Sequence, residues 1–261
     1  MRKAVLLAAL LLSACAPQVG GPLGEVDLAS ALSGSGTYRG SEPLPSVALS
    51  SLTSPDPRVR EEAFALLRRQ RAQAGEAGPE FMYLYGAYHL ASGDYGQAAF
   101  YFNLGLRSLY PYAFDRQGRD VWDYGYGRAS AYLHTEPQKA LRDAVLLAEK
   151  APPPAGGRVP KALLALELRV RALLALKGYE EALKAAEDYF RTWNGLPTPY
   201  LEGQRAFWRV ALLRAEALEG LGRLEEAREA YAAILAAREK LVPVEEEVLR
   251  RARERLAALQ P

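Results

Sequence analysis

Alanine recurs at Ala98, Ala140, Ala182 and Ala227, separated by 42, 42 and 45 residues, in stretches where apolar residues return every third or fourth position. That period marks a helix with one buried face. A helix pair repeated down a chain cannot bury its apolar face alone, so successive copies have to stack. A fold built this way is all-α and grows in one direction. The chain between copies is accounted for by 112–120, 152–160 and 194–203, which are rich in Pro, Gly and polar residues and read as connections that leave the helices intact.

The first copy, Phe81 to Pro111, is the most complete. Gly86 stands where two helices approach closely, Gly93-Asp94-Tyr95 forms the turn, Ala98 and Phe102 follow in the next helix, and Tyr110-Pro111 ends it. These residues resemble one tetratricopeptide repeat, although the spacing here exceeds the roughly 34 residues of that unit. The last copy has Gly222 at its turn, Leu224 and Ala227 on the expected packed face, and Tyr231 in the position of Phe102. The third has Lys177-Gly178-Tyr179 at its turn but Val170 where the first has Gly86. The second keeps Gly127 and Ala140 around an atypical turn, His134-Thr135-Glu136-Pro137.

The resemblance implies a right-handed α-solenoid of about four helical hairpins over residues 55–261, closed by a cap helix at each end. The first cap is expected to start at Asp56-Pro57, with Asp56 accepting from free backbone amides and Pro57 in the first helical position. Val59, Ala63, Leu66 and Leu67 recur along it at helical spacing. The last is expected over Pro243 to Leu259, acidic at Glu245, Glu246 and Glu247 and basic later, as the helix dipole favours.

Met1-Arg2-Lys3 is basic, and Ala4 to Leu12 is apolar but too short to span a membrane. The run ends in Leu12-Ser13-Ala14-Cys15, which resembles the lipobox of bacterial lipoproteins. The resemblance implies that residues 1–14 are a signal peptide and that Cys15 is lipidated and becomes the N-terminus. Cys15 is the only cysteine, so no intramolecular disulfide and no cysteine-based metal cluster can form. Two or three acyl chains hold a protein to a membrane essentially permanently. Ala16, where aspartate would favour the inner membrane, implies a periplasm-facing protein of the outer membrane. Residues 15–54 are rich in Gly, Ser and Pro and read as a flexible linker reaching about 35 Å. The run Val26 to Leu32 is long enough for a short strand or turn of helix, but is read as coil.

Removal of Arg2 and Lys3 from the 33 basic residues leaves them balanced against the 31 acidic ones. Nucleic acid, which demands clustered cations, is not an expected partner. Enzymatic motifs are lacking: no glycine-rich phosphate loop, no paired histidines for zinc, no nucleophile elbow. The two histidines, His89 and His134, read as helix-surface or turn residues. No cofactor or metal is expected.

Ten of the fifteen tyrosines lie between Tyr83 and Tyr132. In the tetratricopeptide family the first helix of each repeat lines a concave groove that holds peptides. The corresponding positions are Tyr83, Tyr124, Arg128 and Tyr132, with Glu167 and Arg171 in the third copy. Tyrosine and arginine suit interfaces, while aromatic residues at helical spacing also fill cores; both readings of the cluster stand. The implied function is a membrane-anchored, non-enzymatic scaffold that binds another envelope protein or peptide segment. Its layout is similar to that of lipoproteins that assemble outer-membrane proteins or pilus secretins. Two other readings are a structural spacer that self-associates through its open faces, and a glycan-binding module using Asp123 or Glu167.

Overall fold

The computed structural model describes residues 24–154, 159–195, 201–237 and 244–259. The signal segment and Cys15 lie outside those residues. Two one-turn helices, α1 (Leu28–Ala31) and α2 (Leu49–Leu52), precede α3 (Pro57–Gln73). Four hairpins follow: α4 (Pro79–Ala91) with α5 (Tyr95–Leu109), α6 (Val121–Thr135) with α7 (Pro137–Glu149), α8 (Lys161–Ala175) with α9 (Tyr179–Asn194), and α10 (Leu201–Gly220) with α11 (Leu224–Ala236). The series ends in α12 (Glu246–Ala258). Among the described residues the only extended pairings are isolated bridges from Phe114 to Thr37 and to Asp120.

From α3 onward each helix packs on the next, the first helices of successive hairpins, α4, α6, α8 and α10, also pack each on the following one, and α10 packs on α12. No comparable packing joins the second helices α5, α7, α9 and α11. One face of the stack is therefore drawn together and the other splayed, as in an α-helical solenoid.

Small residues make the close approach. Ala98, Ala140, Ala182 and Ala227 are all fully buried. The Phe102 ring of α5 sits between two glycines, and an added Cβ would lie 3.0 Å from it at Gly86 and 2.4 Å at Gly127. Tyr231 is likewise buried and donates to Glu219 Oε2 at 2.9 Å. At the hairpin turns Gly93 and Gly222 adopt φ of 80° and 73°, the left-handed region that glycine enters without steric cost. In the third hairpin that position is taken by Lys177, at φ 59°, and not by the neighbouring Gly178.

Asp56 caps α3 as expected, accepting from Arg58 N at 2.9 Å with Pro57 in the first turn. Only Ala63 and Leu67 of its periodic residues are buried; Val59 and Leu66 are exposed on the side of α3 away from α2 and α4, its main packing neighbours. Leu224, expected on the packed face of the fourth hairpin, is also exposed, the burial there falling to Ala227, Tyr231 and Ile234.

The largest departure from the sequence reading is the stretch 24–54, expected to be flexible linker. It runs as an ordered strap over the hairpins. Leu28, Ala31 and Leu52 are buried in it, and the backbone of Ser35, Thr37 and Tyr38 pairs with the 111–114 connection. Arg116 fastens the strap further along. Its guanidinium donates to the Gly40 and Glu42 carbonyls at 2.7 and 2.8 Å and to both Glu80 oxygens. Polar composition misleads here because partners distant in sequence satisfy the polar groups.

Two predictions follow from this packing. Gly127→Ala should destabilise the protein by about 1–3 kcal/mol through overpacking on Phe102, while Gly96→Ala, with nothing within 4 Å of its Cβ, should cost nothing; thermal melts compare them. Burial pushes the Glu80 carboxyl up, but hydrogen bonds from Arg116 and the backbone outweigh it and hold its pKa below 4.5. The stabilisation from Glu80 is thus present above that ordinary value and lost as pH falls through the lowered one. Denaturant titrations from pH 7 to 3 should show a shallower acid loss in Glu80→Gln than in the parent.

Candidate functional site

On the drawn-together face the first helices α6, α8 and α10, with α12, border two adjoining clefts. The smaller, of ≈ 260 Å³, lies between Tyr126, Ser130, Glu167 and Arg171. The larger, of ≈ 550 Å³, continues between Arg171, Leu174, Arg209, Leu212, Glu216 and Arg251. Leu133, His134 and Arg171 line both, so the clefts form one groove.

Its floor is a charged lattice. Glu167, buried on α8, accepts from Arg209 Nε at 2.9 Å and Nη2 at 3.2 Å, and from Arg171 Nη2 at 2.8 Å. Arg209 Nη1 also donates to Glu245 Oε1 at 2.8 Å, which ties α8 through α10 to the residue capping α12. Burial opposes the Arg209 charge, yet its two carboxylate partners raise its pKa. Arg251 pairs with Glu216, whose carboxyl burial raises above its ordinary value although Arg251 draws it down. Burial, and next the Arg171 charge, lowers the His134 pKa, which favours a neutral ring; that ring stacks on Tyr95 with centroids 3.8 Å apart. Arg171 and Arg251 keep 42% and 46% of their side-chain surface exposed, leaving two cations and the half-buried Leu133 and Leu174 side chains to meet a ligand.

Of the expected groove residues, Glu167 and Arg171 lie in this groove. The other four do not. Tyr124 is fully buried, its ring against Gly105 and its hydroxyl donating to Asp115 Oδ2 at 2.8 Å. Tyr83 packs on Tyr124 and Phe102 with ring centroids 5.0 and 5.5 Å away, under Arg119. Arg128 is fully buried and paired with Asp143, and Tyr132, nearly buried, borders a separate cleft with Glu25 and Lys139. In the first two hairpins the helix spacing that suggested a recognition surface serves the core.

The sequence assigns no groove role to His134, Arg209, Glu216, Glu245 or Arg251; His134 reads from it as a turn residue and Glu245 as a dipole-matching acid. One signal was present for Arg209: it stands 42 residues after Glu167, the repeat spacing. Asp123 and Glu167, the carboxylates of the glycan reading, are each engaged with cations, Asp123 with Lys161 and Glu167 with Arg171 and Arg209. Among the described residues no group of three or more His, Cys, Asp or Glu side chains is placed to hold a metal ion.

No protein-family model matches this chain, and neither the curated proteins nor the solved structures contain a significant match to it. The groove has to be interpreted from its own chemistry.

Glu167→Met should cost about 3 kcal/mol, because it strips Arg209 of its buried partner. Adding Arg209→Met should recover part of that loss, and a double-mutant cycle by urea denaturation measures the coupling.

Proposed function

We propose that this protein is a tetratricopeptide-like lipoprotein of the bacterial cell envelope. It is anchored through Cys15 and uses the groove over α6, α8, α10 and α12 to hold a segment of another envelope protein. The observation that carries the reading is the groove itself, where the engaged carboxylates leave Arg171 and Arg251 partly exposed beside apolar walls. Such a surface favours an extended or helical segment that offers carboxylates or backbone carbonyls to the arginines and apolar side chains to Leu133 and Leu174. Arginine, with its planar fork of donors, suits that role better than lysine. Neither a reaction nor a cofactor is needed for it.

The anchor rests on the basic n-region, the short apolar run and Leu12-Ser13-Ala14-Cys15. No described helix is long and apolar enough to cross a membrane. Attachment in this reading comes from the acyl chains, each buried methylene contributing about 0.8 kcal/mol.

A photoreactive amino acid at Ala175, exposed in the groove, tests the binding reading in native cells, with one at exposed Leu224 as comparison. A defined envelope protein captured at Ala175, absent at Leu224 and diminished by Arg171→Glu, is the expected result. Equal capture at both positions would remove the groove from the account. Metabolic labelling with an alkyne fatty acid should mark the parent and fail to mark Cys15→Ser.

A further inference from the structure

The strap holds its N-terminal end on the face of the stack opposite the groove. Residues 24–28 lie between α5 and α7, the second helices that do not pack together. The Gly24 carbonyl accepts from Arg107 of α5 at 2.5 Å, and Glu25 pairs with Arg142 and, at 3.3 Å, with Lys139, both of α7. The Val26 peptide is clasped from two sides. Its N–H donates to Asn103 Oδ1 at 2.9 Å, and its carbonyl accepts from Arg128 Nη1 at 2.8 Å. Leu28 is buried where an added Cβ on Gly125 of α6 would touch both it and Leu147 of α7. The α5–α7 gap of the splayed face is thus filled by the chain's own N-terminal segment, which enters the body at one defined point.

Cys15 precedes Gly24 by nine residues. Nine residues reach at most about 30 Å when extended, and about 15–18 Å as a relaxed coil. The strap rests on Gly125 and Arg128 of α6, whose other side borders the groove, so one helical layer about 10 Å thick lies between them. A relaxed tether stays on the α5–α7 side, and only a stretched one would run round α6 and its flanking helices. We infer that the bilayer surface is the partner of the α5–α7 face, and that the groove of the anchored protein points away from the lipid into the aqueous compartment. This rests on the reading of Cys15 as the anchor.

The chemistry of the face fits head groups of mixed charge. Arg107, Lys139 and Arg142 stand among Glu25, Asp27 and Glu136, so the tether, and not a basic patch, holds the face to the membrane. Tyr110 follows Arg107 by one turn and is 56% exposed, an amphipathic ring of the kind found at head-group depth. A partner therefore reaches the groove from the aqueous side and need not be embedded in the same leaflet.

The test couples the full chain through its only thiol, Cys15, to vesicles of phosphatidylcholine and phosphatidylethanolamine carrying a maleimide lipid and an acceptor-labelled lipid. A fluorescent amino acid replaces either Gly96, exposed at the start of α5 beside Glu25, or Ala175 in the groove. Energy transfer to the bilayer should be clearly higher from position 96 than from 175, and Val26→Pro, which removes the donor to Asn103, should narrow the difference. Equal transfer, or more from position 175, in the chain with its strap intact would overturn the inference. Chemical coupling makes this result independent of lipidation in the cell, which fatty-acid labelling tests separately.

Discussion

The stack depends on one contact, the Phe102 ring lodged between the backbones of Gly86 and Gly127. It joins three helices at once, because α4 supplies one glycine, α6 the other and α5 the ring. A side chain at either glycine would push the first helices apart, and their mutual packing defines the drawn-together face. The same device recurs where Tyr124 covers Gly105 and Tyr179 covers Gly220, each ring 2.7 Å or less from the position a Cβ would take. Buried alanines do the corresponding work on the second helices. Close approach on one side splays the other, and the two faces then meet different fates: the strap fills the α5–α7 gap of one and the groove stays open on the other.

Polar groups inside this stack specify arrangement more than they add stability. Arg128 and Asp143 are both fully buried, and burial keeps the Asp143 carboxyl raised in spite of two arginines beside it. A pair with such a desolvation cost is weak evidence of stabilisation. Arg128 also donates to Asn103 and to the Val26 carbonyl, so the pair sets which stretch of chain occupies the splayed face. Glu167 does the same in the groove, where it fixes the spacing of α8 against α10. Arg171 is left half-free by the same arrangement.

The helical stack was legible because its signals are local and repeated. Ala98, Ala140, Ala182 and Ala227 recur at nearly constant spacing, and each proved buried for the reason the repetition implies. Gly93 and Gly222 marked their turns for a backbone reason that any chain would share. The strap was not legible. Val26 is held by residues 77 and 102 positions away, and no short window reports such partners. The tyrosines failed differently. Tyr124 occupies a helix position that faces outward in a regular repeat, but the inserted 112–120 connection brings Asp115 over it and seals it in. Periodicity identifies faces; insertions decide which faces remain open.

The distinction between a strapped body and one on a loose tether is the centre of this account, and residue-resolved hydrogen exchange of the intact protein measures it directly. The amides of Val26, Ala31, Leu32 and Tyr38 donate to Asn103 Oδ1 or to backbone carbonyls. They should therefore exchange far more slowly than an unstructured chain. Exchange of all four at the rates of an unstructured peptide would show that residues 24–54 are a free linker and would contradict the account.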